Sequence, residues 1–138
     1  MNATQLVLVP KVILIAGSRN FTCYMQLSKV MDHVLEKTGN PTLVISGGAP
    51  GVDTLAEQWA KEHHFAFKPF PADWKKHGKR AGPLRNSEMM QIADVVVALP
   101  APDSIGTLDT IRKAERTKKE LFVFNIVASD ERSYTRGH

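Results

Sequence analysis

The sequence predicts an α/β domain: a doubly wound, mostly parallel sheet of about five strands with helices on both faces. Three observations predict it. Four short runs are continuously apolar and rich in β-branched residues, the pattern of strands covered on both faces. Helical periodicities fall between them, so strands and helices alternate, the order that builds parallel sheets through right-handed crossovers. Glycine-bearing turns follow three of the runs.

Val12-Ile13-Leu14-Ile15-Ala16 is the first strand. Leu27, Val30, Met31, Val34 and Leu35 then follow the 3-4 spacing of one helical face, and Gly39-Asn40-Pro41 punctuates its end. Thr42–Ser46 is the second strand; after it Leu55, Ala56, Trp59 and Ala60 repeat the helical spacing, with Asp53 as N-cap. Phe65–Pro69 reads as a short further strand, confined to an edge by its proline. A third helix opens at Pro83, which suits a first-turn position, and runs to Ile92. Asp94–Leu99 is the most apolar strand; Leu108, Ile111 and Ala114 mark a fourth helix whose basic end complements its dipole. Leu121–Ile126 is the last strand. The organisation expected is an N-terminal extension over 1–11, a single Rossmann-like domain over 12–127 and a flexible C-terminal tail over 128–138.

At 138 residues the chain suits one domain with a core of its own. No apolar run approaches the ~18 residues of a bilayer-spanning helix, and Leu6–Val9 lacks a basic leader and a cleavage site, so a cytoplasmic location without membrane association is expected. Cys23 is the only cysteine, which excludes an internal disulfide and any multi-cysteine zinc site. His63 and His64 are adjacent and diverge by roughly 100° on a helix, so neither a metal site nor a resident cofactor is expected. The formal charge is +4, yet Phe65–Ser87 alone carries six cations (Lys68, Lys75, Lys76, Lys79, Arg80, Arg85) against Asp73, leaving the remainder slightly acidic. That concentration fits a local anion site or a solvated basic loop.

In open α/β sheets ligands settle beyond the carboxyl ends of the strands, where helix N-termini and unpaired amides converge. Three loops fall there. Gly17-Ser18-Arg19-Asn20-Phe21 follows the first strand, and Arg19 can fork onto a phosphate or carboxylate. Ser46-Gly47-Gly48-Ala49-Pro50-Gly51-Val52-Asp53 matches neither the dinucleotide fingerprint nor the Walker phosphate loop, but its glycines before a helix still expose amides to an anion. Pro102-Asp103-Ser104-Ile105-Gly106-Thr107 adds two hydroxyls and a third glycine turn. Each loop also reads as a plain capping turn; their recurrence after three strands favours a shared site. Arg85 and Asn86, in the first turn of the third helix, would add directional donors, and Trp74 would stack on a base or plug the packing beside Pro71.

Gly17-Ser18-Arg19-x-Phe21, Ser46-Gly47-Gly48-Ala49-x-Gly51-Val52-Asp53, Asp73-Trp74 with Gly82-Pro83-x-Arg85-Asn86-x-x-Met89, and Ser104-x-Gly106-Thr107 together resemble the YspA-type branch of the SLOG superfamily, which takes its name from DprA and the LOG phosphoribohydrolases. The resemblance spans residues ~12 to ~126 in four ordered motifs. It implies a Rossmann-like sheet whose glycine loops hold nucleotides or nucleotide derivatives, including ADP-ribose-like signals of bacterial and phage conflict, and it implies a homo-oligomer. LOG enzymes use an Arg-Lys-x-x-Met element and a Gly-Gly-x-Gly-Thr-x-x-Glu element. Here Asn86 stands for the lysine, Thr110 stands for the glutamate, and Asp109 falls one residue early, turned ~100° around the helix.

The first functional expectation is therefore a sensor or sequestering protein that binds a nucleotide-derived ligand without turnover through these motif residues. The alternative is a LOG-like nucleoside 5′-monophosphate phosphoribohydrolase, for which the catalytic candidates are Arg85, Asp53 and Asp73. Single-stranded DNA binding ranks third, because only Trp74 accompanies the basic stretch.

Overall fold

The computed structural model describes residues 10–102 and 104–126. The segments 1–9 and 127–138 lie outside the described residues, and so do Asp103, most of the expected N-terminal extension and the whole expected tail.

Five strands form one sheet in the order β3-β2-β1-β4-β5: β1 Val12–Gly17, β2 Leu43–Ser46, β3 Phe67–Pro69, β4 Val95–Leu99 and β5 Glu120–Val123. Every pairing is parallel, with Leu14 of β1 opposite both Ile45 of β2 and Val96 of β4. Helices α1 Tyr24–Thr38 and α2 Val52–Glu62 cover one face, and α4 Ala81–Ile92 and α5 Ile105–Arg116 cover the other. Alternation along the strands divides the core accordingly. Ile13, Ile15, Val44 and Val97 pack with Leu27, Met31, Val34, Ala56 and Trp59, whereas Leu14, Ile45 and Val96 pack with Met89, Met90 and Ala114. Strands buried on both sides explain why their sequences are continuously apolar.

β3 occupies the edge that its proline demands, beginning at Phe67 rather than Phe65. β5 ends at Val123, although Phe124 and Ile126 still donate to the carbonyls of Ala98 and Pro100. Helix boundaries depart further from expectation. Gly51, not Asp53, is the N-cap of α2. Helix α4 starts at Ala81, two residues before Pro83, so Arg85 and Asn86 sit in its second turn. The first amides of a helix have no partner within it, so a proline at the third position costs no hydrogen bond. The buried face of α5 is Thr107, Thr110 and Ala114, and Leu108 stays exposed. Between β3 and α4 the chain forms a one-turn helix, α3 Trp74–His77, and a 3₁₀ turn Gly78–Arg80.

Among the described residues no helix is long and apolar enough to cross a membrane, and no cluster of His, Cys, Asp or Glu side chains is grouped to hold a metal ion.

Candidate functional site

Strand order reverses direction between β1 and β4, so the loops leaving those two strands diverge to opposite faces and open a crevice at the carboxyl edge of the sheet. A cleft of about 850 Å³ lies there, within the range of small-molecule sites. Its walls are Gly17–Asn20 after β1, Gly47–Pro50 and Asp53 after β2, Trp74 and Lys79 from the segment after β3, Arg85 and Asn86 from α4, and Ser104–Thr107 after β4. The backbone of Ser18 ties three of these elements together: its amide donates to Leu99 O at 3.1 Å, and its carbonyl accepts from Val52 N at 3.1 Å.

The β2–α2 turn is shaped by contacts that admit no side chain. Gly51 has φ of +79°, and a Cβ there would overlap the Ser18 carbonyl oxygen and stand 2.5 Å from the Arg19 carbonyl carbon. At Gly47 a Cβ would overlap the Arg85 guanidinium. Arg85 Nη1 donates to Gly47 O at 2.6 Å and Phe70 O at 3.0 Å, and Nε donates to Asn86 Oδ1 at 2.9 Å. Three of its five N–H groups are thus in use, and Nη2 has no acceptor among the described residues. In the same turn the buried Asp53 carboxylate accepts from Ala49 N at 3.0 Å. Burial pushes Asp53 up to about 6, against the amides of Ala49 and Gly47 and the Arg85 charge, which pull it down. Burial also lowers Arg85, against the attraction of Asp53. The two side chains together hold the glycine turn, Arg85 at Gly47 and Asp53 at Ala49.

The opposite wall is the start of α5. Ser104 is its N-cap, but the hydroxyl accepts from Ala101 N at 2.9 Å and makes no cap bond into the helix. The first-turn amides of Ile105, Gly106 and Thr107 have no acceptor among the described residues and stand at a positive helix end, the physical basis of anion sites. A Cβ at Gly106 would meet nothing within 4 Å, because the space beside it is the cleft itself. Asp109 also lines the cleft. Its Oδ2 accepts from Asn86 Nδ2 at 3.0 Å and Lys113 Nζ at 2.5 Å. Burial raises its pKa, but those two hydrogen bonds with the Lys113 and Arg116 charges outweigh it, so the carboxyl sits below the ordinary aspartate range. Although Asp109 falls one residue early on the helix, Asp109 and Thr110 both border the cleft, and Thr110 Oγ1 donates to Gly106 O at 3.3 Å.

Of the residues expected at a ligand, Gly17, Ser18, Arg19, Gly47, Gly48, Asp53, Trp74, Arg85, Asn86, Ser104, Gly106 and Thr107 share this one cleft. Four stand elsewhere. Phe21 is buried in the α1–α2 core. Ser46 is fully buried, and its hydroxyl has no partner among the described residues. Gly51 acts on the turn from behind the wall, through the contacts above. Asp73 caps α3, its side chain accepting from Lys76 N at 3.1 Å. The residues expected at a ligand did not include Arg112, nor Lys79, Ile105 and Asp109, which the sequence showed only as part of a basic segment, a loop and a displaced carboxylate. Ile105, Asp109 and Arg112 recur at spacings of four and three from the start of a helix, so one face carries all three; periodicity read for polar as well as apolar residues finds them.

Fold and cleft together define a Rossmann-like α/β protein with a glycine-walled crevice at the topological switch of its sheet. The chain belongs to the YspA, cpYpsA-related SLOG family, whose model matches residues 11–77, from β1 through α3. The Gene 61 protein of Mycobacterium phage D29 is 36% identical over 110 residues, covering 75% of this chain and 88% of that protein. The X-ray structure of DNA processing protein A (DprA) from Streptococcus pneumoniae is similar with a TM-score of 0.63 at 21% identity. That similarity covers 93% of this chain and 56% of DprA, so the present chain spans little more than half the length of that neighbour.

Proposed function

We propose that the protein binds a nucleotide or nucleotide-derived small molecule, of which an ADP-ribose-like compound is one form, and holds it without turnover as a sensor or sequestering protein. One observation carries the reading: the turns after β1, β2 and β4 open on a single cleft whose wall includes the first turn of α5, where the Ser104 side chain makes no cap bond. Arg19, Lys79, Arg85 and Arg112 line the same cleft against Asp53 and Asp109, an excess of positive charge suited to phosphate. Family membership supports the same ligand class. The absence of turnover is inferred from how the carboxylates are used. Asp53 is committed to the glycine turn, and Asp73 lies outside the cleft.

A second reading, N-glycosidic hydrolysis of a nucleoside 5′-monophosphate, is favoured by one specific observation, the ionised Asp109 carboxylate on the wall. A carboxylate there would stabilise an oxocarbenium-like centre, as in related glycosyl chemistry. DNA binding ranks below both, because strand-binding surfaces interleave several aromatics with cations, and Trp74 is the one aromatic on the described cleft wall. A homo-oligomer belongs to the proposal as well, and light scattering on the purified chain tests it.

The deciding experiment is mass spectrometry of any small molecule that copurifies, followed by incubation with mononucleotides and ADP-ribose. Saturable binding with the ligand recovered intact is expected. Release of free base, lost in D109N, replaces the first reading with the second.

A further inference from the structure

Apolar side chains exposed singly are ordinary on a protein surface, but exposed ones gathered on the wall of one concave site mark a binding surface. Three in the described structure are more than half exposed: Ile105 at 80%, Met25 at 64% and Trp74 at 59%. Two of these, Trp74 and Ile105, lie on the wall of one cleft, which also carries the cations. Trp74 is held in place. Asp73 caps its one-turn helix, and the six-membered ring of the indole lies against the buried Gly82 of α4, where a Cβ would stand 3.3 Å from Cη2. Gly82 thus provides a seat for the ring, while most of the side chain remains open to the cleft.

We infer that Trp74 is a stacking platform for the flat heteroaromatic ring of an anionic ligand, with Ile105 supplying further apolar surface. An indole offers a π-face to any base without hydrogen-bond selection, so the platform accepts nucleobases as a class. Sugar phosphates and inorganic phosphate would use only the amides and cations. The inference rests on the nucleotide reading above and adds to it the part of the ligand that carries affinity.

Calorimetric titration of the full chain with AMP, CMP, ADP-ribose and ribose 5-phosphate tests it in the wild type, W74F and W74L. At least one base-bearing probe binds the wild type on the order of tenfold tighter than ribose 5-phosphate. W74L loses that margin, W74F keeps most of it, and ribose 5-phosphate binds all three alike. Trp59 is fully buried and Trp74 is the chain's other tryptophan, so base-dependent fluorescence quenching in the wild type reports the platform even if a variant folds poorly. Equal affinity for AMP, CMP, ADP-ribose and ribose 5-phosphate, or a margin intact in W74L, overturns the platform and leaves the nucleotide reading standing. Failure of all four probes to bind overturns both.

Discussion

Asp53 meets two opposed demands, since its carboxylate holds the amide of Ala49 while burial penalises its charge. The folded pKa of about 6 lies above the ordinary aspartate value, so the folded chain takes up a proton before the unfolded one does. The sign follows: this residue's contribution to stability rises as pH falls through 6 and is lost again as pH climbs. Between pH 7 and 5 the wild type should gain about 1 kcal/mol relative to D53N, measured as the difference between their urea unfolding free energies. Parallel pH profiles of the two proteins would contradict the assignment. R85M removes three hydrogen bonds from the turn and the charge facing Asp53. It should cost roughly 2 kcal/mol or more and steepen the same pH dependence, because Asp53 then lacks its partner. Both residues stand out in the sequence as charges near glycines, where they look like ligand groups. Their bonds to Gly47, Ala49 and Phe70 depend on loops brought together only by folding, and no local pattern encodes that. Asp73 is the converse case: its capping role is visible in its position just before a short helix, yet α3 is too brief to show a periodicity.

The sheet was the most legible element, because strands buried on both faces leave an unbroken apolar signature. Helix starts were less so. Pro83 suggested a first position, but the unpaired amides of the whole first turn let the helix begin at Ala81. The β2–α2 turn was legible in composition but not in cause. Gly39 and Gly51 share φ near +80°, yet a Cβ at Gly39 meets nothing within 4 Å and one at Gly51 overlaps the backbone of Ser18 and Arg19. G39A should therefore cost only the penalty of a positive-φ extended backbone that other residues rarely adopt, about 2 kcal/mol. G51A should cost clearly more, about 3 kcal/mol or above, because the backbone must move. Thermal or urea denaturation of the two variants checks the contrast, and equal losses would mean that the close approach to the Ser18 loop is not what requires glycine.

At the scale of the molecule, one topological fact organises the site. The reversal of strand order between β1 and β4 splits their loops apart, and the glycines, cations and open helix end of three separate sequence segments meet in that crevice. That the three glycine loops would gather at one edge was legible from the alternation of strands and helices, because loops after parallel strands leave on the same side of a sheet, whereas the far wall of the cleft was not. Ile105, Asp109 and Arg112 share one face of α5, which their spacing shows, but that this face borders the cleft depends on how α5 packs beside α4, and Lys79 reaches it from the turn before α4. The account stands or falls on whether the start of α5 receives the anionic part of a nucleotide-derived ligand. Gly106 allows a clean test, since a Cβ there meets no atom of the described residues within 4 Å outside its own helix. Calorimetric titration with AMP and ADP-ribose should show the wild type binding at least one of them, and G106V binding it at least about tenfold weaker, with its melting temperature within a few degrees of wild type. Undiminished affinity in a folded G106V, or no binding by the wild type, would contradict it.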